Sequence, residues 1–121
     1  MAPSPAGFRV RRVYDPPEPA DGVRVLADRL WPRGLSKERA AIDEWPKELT
    51  PTGELRAFHH AHPERQAEFE QRYQAELSAP EHADAVRRLR ELAAAGPVTL
   101  LTAVKDPDRS HVRVLLARLE G

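Results

Sequence analysis

The stretch Pro97–Val104, reading PVTLLTAV, constrains the fold more than any other part of the chain. It is nearly all apolar, opens after Gly96 and closes at Lys105-Asp106-Pro107. A short apolar run bounded in this way is the pattern of a strand covered on both faces, as in a parallel sheet with a layer on each side. Two earlier segments also have strand character. In Phe8–Tyr14, β-branched and aromatic residues alternate with arginines, and Val23–Asp28 is a second apolar segment. Between these and Pro97 the spacing becomes helical. Phe69, Tyr73 and Leu77 recur every four positions, and Ala83, Val86, Leu89 and Leu92 predict an inward face for a further helix closed by Gly96-Pro97. Strands separated by helices predict an α/β domain: a small, mainly parallel sheet flanked by helices in a three-layer, Rossmann-like arrangement. The domain is expected to span residues 7–120, with residues 1–6 as a loose tail.

One connection strains this scheme. Asp15–Gly22 contains three prolines and a glycine, so it must be a loop, yet it is too short for the helix that parallel neighbours normally require. Either the crossover is reduced or the first two strands pair antiparallel. Further helices are expected after Ser36 (with Ala40, Ala41 and Ile42 turned inward and Trp45-Pro46 as its end), after Thr50–Glu54, and after Asp106, read as an N-cap with Pro107 in the first turn.

Composition narrows the function classes. Nineteen basic and nineteen acidic residues cancel, which argues against a general coat for nucleic acid. The absence of cysteine removes disulfides, thiolate catalysis and sulfur-ligated metals. No apolar run approaches a bilayer-spanning length, and Met1–Gly7 has neither the basic start nor the apolar core of a signal peptide. A cytoplasmic protein without membrane contact or a cofactor is expected, with its oligomeric state open.

Chemistry concentrates between Asp28 and Lys37. Here the second strand runs into Asp28-Arg29-Leu30-Trp31-Pro32-Arg33-Gly34, a bend rich in charge, and then into a helix start capped by Ser36. Strand ends that meet helix N-termini form natural anion sites. Arg29, Arg33 and Lys105 are therefore expected to converge on a phosphate-bearing or carboxylate ligand, with Asp28, Trp31 and Lys37 in the same site. Trp31 either stacks on a base or sugar ring or covers the edge of the core. His111 and Tyr14 are the candidate proton-transfer, that is catalytic, groups. The competing reading makes the motif architectural in a non-catalytic regulatory or interaction module, its arginines bound by carboxylates. Arg87, Arg88 and Arg90 read as a solvated helix face. His59, His60 and His62 read as helix-end histidines in preference to metal ligands, although one of them close to the anion pocket would suit acid–base work.

The string Asp28–Gly34 resembles the YeaO-like branch of a large bacterial family built on domain of unknown function 488. The resemblance extends from Phe8 to Glu120 and includes Arg12–Asp15, Leu55-Arg56, Phe58–His60, Phe69 with Tyr73, and Lys105-Asp106 followed by His111. It implies a single cytoplasmic α/β domain whose first two strands are parallel despite their short link. It supplies no reaction. Where that family often carries cysteines, Thr102 and Ser110 stand here, and hydroxyls substitute poorly for soft thiolates at a metal.

Overall fold

The computed structural model describes residues 7–121, so the tail expected at residues 1–6 lies outside the described residues. Three strands, β1 (Gly7–Arg12), β2 (Val23–Leu26) and β3 (Pro97–Thr102), form one sheet in the order β1-β3-β2. Both outer strands run parallel to β3. β3 is the central strand and is buried from Val98 to Thr102, as its unbroken apolar run predicts.

Strand order resolves the short link. β1 and β2 are parallel but are not neighbours, because β3 lies between them. Residues 13–22 thus cross the face of β3, using only a single 3-10 turn, Pro19–Asp21, in place of a helix. Thr99 Oγ1 fastens this crossing by donating to the Asp21 carbonyl at 2.8 Å. Gly22 follows with φ of 61°, and a Cβ there would lie 2.1 Å from the Pro97 carbonyl oxygen. Only glycine fits so close an approach. The crossover is reduced, and the antiparallel alternative is excluded.

The pleat sends alternate residues to opposite faces. One face carries Phe8 and Val10, Val98 and Leu100, and Val23 and Val25 in register. It meets the main core, into which α2 (Gly53–Ala61), α3 (Gln66–Leu77), α4 (Ala83–Ala95) and α5 (His111–Glu120) send Leu55, Phe69, Tyr73, Leu77, Val86, Leu89 and Leu115. Burying each such side chain is worth roughly 1.5–3 kcal/mol. The Tyr73 hydroxyl reaches the Leu49 carbonyl at 2.5 Å, so its burial leaves no polar atom stranded.

The opposite face is unlike a usual core. Arg9 and Arg24 flank Thr99 in register, and Arg11 lies beside Leu101. All three arginines close on Asp21, which is 0% exposed. Arg11 Nη1 lies 2.9 Å from both carboxylate oxygens, Arg9 Nη2 lies 3.2 Å from one, and Arg24 donates to the other. Burial pushes the Asp21 carboxyl upward, but the Glu18 N–H and the Arg11 and Arg24 guanidiniums outweigh it and hold the group below the usual aspartate range. A smaller apolar cluster completes this layer, with Val13, Leu26 and Leu101 packed against Trp31, Leu35, Ile42 and Trp45.

Several element boundaries differ from expectation. The helix after Ser36 is a single turn, α1 (Lys37–Ala40), which stops at Ala41 in the left-handed conformation. Ala41 is exposed. The turn ends well before Trp45-Pro46 because the Ala40 and Ala41 carbonyls are taken by the Arg24 guanidinium. Asp106 opens only a 3-10 turn, and α5 starts at His111 because Ser110 Oγ accepts from the Val112 N–H. Ala83 is exposed, and Ala85 packs in its place.

Candidate functional site

The carboxyl ends of all three strands open on one side of the molecule, where ligands bind in open α/β sheets. A cleft of about 760 Å³ lies there. Its wall comprises Tyr14 just beyond β1, the segment Asp28–Arg33 beyond β2, Ala103 and Val104 beyond β3, the start of α5 at His111, and one side of α2. Its size falls within the range of small-molecule sites.

The Asp28–Gly34 string divides its labour. Asp28 fastens the floor: its carboxylate accepts from Thr102 Oγ1 and from the Ala103 N–H, both at 2.7 Å, and lies 3.2 Å from His111 Nε2. Burial raises the Asp28 carboxyl, but His111, the Ala103 N–H and Thr102 overcome that and hold it below the usual aspartate range. Its carbonyl accepts from Trp45 Nε1 at 2.8 Å. Trp31 covers the core edge. Its indole donates to the Leu35 carbonyl at 2.6 Å and meets Trp45 edge-on, with centroids 5.4 Å apart. Gly34, at φ of 77°, turns the chain.

Arg29 and Arg33 behave differently. Both are exposed, both line the cleft, and neither forms an ion pair among the described residues. Arg29 makes one long contact, 3.4 Å to the Pro51 carbonyl. Arg33 offers only its carbonyl, which accepts from the Tyr14 hydroxyl at 3.2 Å. A third cleft guanidinium, Arg56 on α2, is likewise exposed and free of ion pairs. The Asp28–Lys37 string does not point to it. Its position one residue beyond the inward-facing Leu55, on the helix that begins after the motif, is the signal that could have found it. Lys37 and Lys105 are exposed but do not line the cleft, so neither joins the arginines there.

His111 has one nitrogen fixed. Nε2 lies 2.8 Å from the Ala27 carbonyl and 3.2 Å from Asp28 Oδ1, two acceptors, so it carries the proton. No buried side-chain nitrogen or oxygen lacks a partner among the described residues, so Nδ1, which has none, is not fully buried, and His111 lines the cleft. His59 also lines the cleft, stacked on Phe69 at 3.9 Å and bonded to Gln66 Oε1. His60 lines it too, whereas His62 lies by Glu64. Asp28, with its oxygens already engaged, is the only acidic residue in the wall among the described residues.

Fold and cleft together define a class: a small parallel α/β protein with cationic side chains gathered at its strand ends. The chain belongs to the DUF488 family, since residues 7–121 match the family model described as the "Inactive DUF488-N3 subclade". It is similar to the uncharacterized protein YeaO of Escherichia coli (strain K12), at 46% identity over 108 residues, covering 89% of this chain and 92% of that one. It is also similar to the uncharacterized proteins Rv3073c of Mycobacterium tuberculosis and Mb3100c of Mycobacterium bovis, each 43% identical over 113 residues and covering 93% of both chains. No solved structure matches. No helix among the described residues is long and apolar enough to cross a membrane.

Proposed function

We propose that the cleft binds a small anionic ligand, phosphate-bearing or carboxylate, held by Arg29, Arg33 and Arg56, without chemical turnover. One observation carries this reading: three arginines line a single cleft and none of them forms an ion pair among the described residues, while Asp28, the acid that this wall holds among the described residues, is already engaged. Guanidinium forks suit planar or tetrahedral anions through bidentate hydrogen bonds. The competing architectural reading requires those arginines to be neutralised internally. Asp28 and Trp31 fit that reading as fasteners, and the lack of an ion pair at the arginines among the described residues supports binding instead. Binding without turnover is supported by the description of the matched subclade as inactive. It is supported also by the hydroxyls of Thr102 and Ser110, both of which are spent on internal hydrogen bonds.

A second reading, acid–base chemistry at His111, is favoured by its fixed Nε2 proton and its place in the cleft wall. Tyr14 is a weaker proton-transfer group, since its hydroxyl is donated to the Arg33 carbonyl.

The test is thermal shift and calorimetry with inorganic phosphate, sulfate and dicarboxylates at low ionic strength. A ligand that binds only the native state raises the melting temperature. The expected result is stabilisation that disappears when Arg29, Arg33 and Arg56 are all changed to Ala. Stabilisation that survives in this variant would overturn the assignment, and product formation abolished by His111→Ala would favour the second reading.

A further inference from the structure

The charges explain one part of the cleft and leave another unexplained. Leu30, 62% exposed, and Tyr14, 43% exposed, are the large hydrophobic side chains left open among the described residues, and both lie in this wall. The molecule otherwise buries such groups in its two cores, and both exceptions line one concave site, as apolar and aromatic side chains do in ligand clefts. The Tyr14 ring is also held in place. Its hydroxyl is tied to the Arg33 carbonyl, and the Arg12 guanidinium lies 5.7 Å from the ring centroid. Arg12 is in turn anchored on the Val104 and Ala103 carbonyls, both at 3.2 Å. A ring braced on one face and still open is a stacking platform, and its hydroxyl bond places it beside Arg33, one of the free cations. The cleft volume is far larger than inorganic phosphate fills.

We propose that the ligand is a phosphate monoester carrying a planar ring, of the nucleoside monophosphate class: the arginines take the phosphate, and Tyr14 with Leu30 takes the ring. This rests on the anion-binding reading and adds the second half of the ligand. Stacking of a base on an aromatic side chain is worth enough to raise affinity roughly ten-fold or more.

Calorimetry with four probes separates the two levels: inorganic phosphate, ribose 5-phosphate, nucleoside 5′-monophosphates and an uncharged nucleoside. The proposal expects a monophosphate to bind at least about ten-fold more tightly than ribose 5-phosphate, with Tyr14→Ala and Leu30→Ser each driving that ratio towards one and Tyr14→Phe preserving most of it. Equal affinity for ribose 5-phosphate and the monophosphates would overturn the proposal while leaving anion binding intact. An uncharged nucleoside that binds as tightly as its monophosphate would overturn the role of the arginines. No binding of any probe would overturn both.

Discussion

Arginine serves opposite ends in two regions of this molecule. On one sheet face Arg9, Arg11 and Arg24 surround the buried carboxylate of Asp21 and are satisfied within the fold. At the strand ends Arg29, Arg33 and Arg56 line a cleft and meet no acid. The residue type is the same and the sequence around each is similarly charged. The difference lies in what crosses above them. The link between β1 and β2 lays an aspartate over the first group, whereas the loops beyond the strands leave the second open. Guanidinium chemistry becomes architecture where the fold provides an anion and becomes recognition where it does not.

Breaking the first region has the largest effect. Arg24→Leu takes one of three guanidiniums from buried Asp21 and the donors from the Ala40 and Ala41 carbonyls. With Arg9 and Arg11 still facing the carboxylate, the cost is expected at about 3 kcal/mol, the low end for breaking a buried ion pair. Urea denaturation should show that loss while phosphate binding of the folded fraction persists. Next comes the fastening of Asp28. Asp28→Asn weakens hydrogen bonds to a charged acceptor, expected to cost about 1.5–3 kcal/mol. Acid should reveal the same carboxylates. Asp21 and Asp28 both titrate below their ordinary value of 3.8 in the fold. Their contribution is therefore complete above that pH and disappears as the pH falls through the lower folded-state values. Melting temperature against pH should decline on that acid side, and less steeply in Asp28→Asn.

Arg9→Ala sharpens the comparison from within, because Arg9 is half-exposed and pairs mainly with the exposed Glu18 at 2.9 Å. It is expected to cost no more than about 1 kcal/mol. Smallest for stability is the cleft itself. Arg29→Ala, Arg33→Ala and Arg56→Ala should each shift unfolding by no more than about 0.5 kcal/mol, as surface substitutions do. Each should also weaken phosphate binding and flatten its salt dependence. A cleft variant that unfolds as readily as Arg24→Leu would erase the distinction drawn here.

Local signals were readable and long-range ones were not. Pro97–Thr102 announces itself by an apolar run, Phe69–Tyr73–Leu77 by its period, Ser36 by its cap chemistry and Thr50–Glu54 by its turn residues, since each of these is decided within a few residues. Strand order is different. The insertion of β3 between β1 and β2 depends on pairings such as Thr99 with Asp21, which are 78 positions apart. The same applies to the site. The free arginines of the Asp28–Gly34 string stood out by density, and His111 by its place at a helix start. Arg56 joins only because the fold sets α2 along the same cleft as the motif, and Lys105 leaves because it lies outside the wall. Thr102 and Ser110 were visible as hydroxyls, but their hydrogen bonds were not.

The central position of β3 has a consequence for how the protein is made. A nascent chain delivers β1 and β2 early, yet neither meets its neighbouring strand until β3 has left the ribosome, and until then β2 pairs only through its outer-edge bridge to Glu44. Assembly of the sheet must therefore wait for nearly the whole polypeptide, a slow, non-local closure. Any pause in translation before β3 leaves β1 and the inner edge of β2 unpaired, the kind of exposed edge on which partly made chains associate.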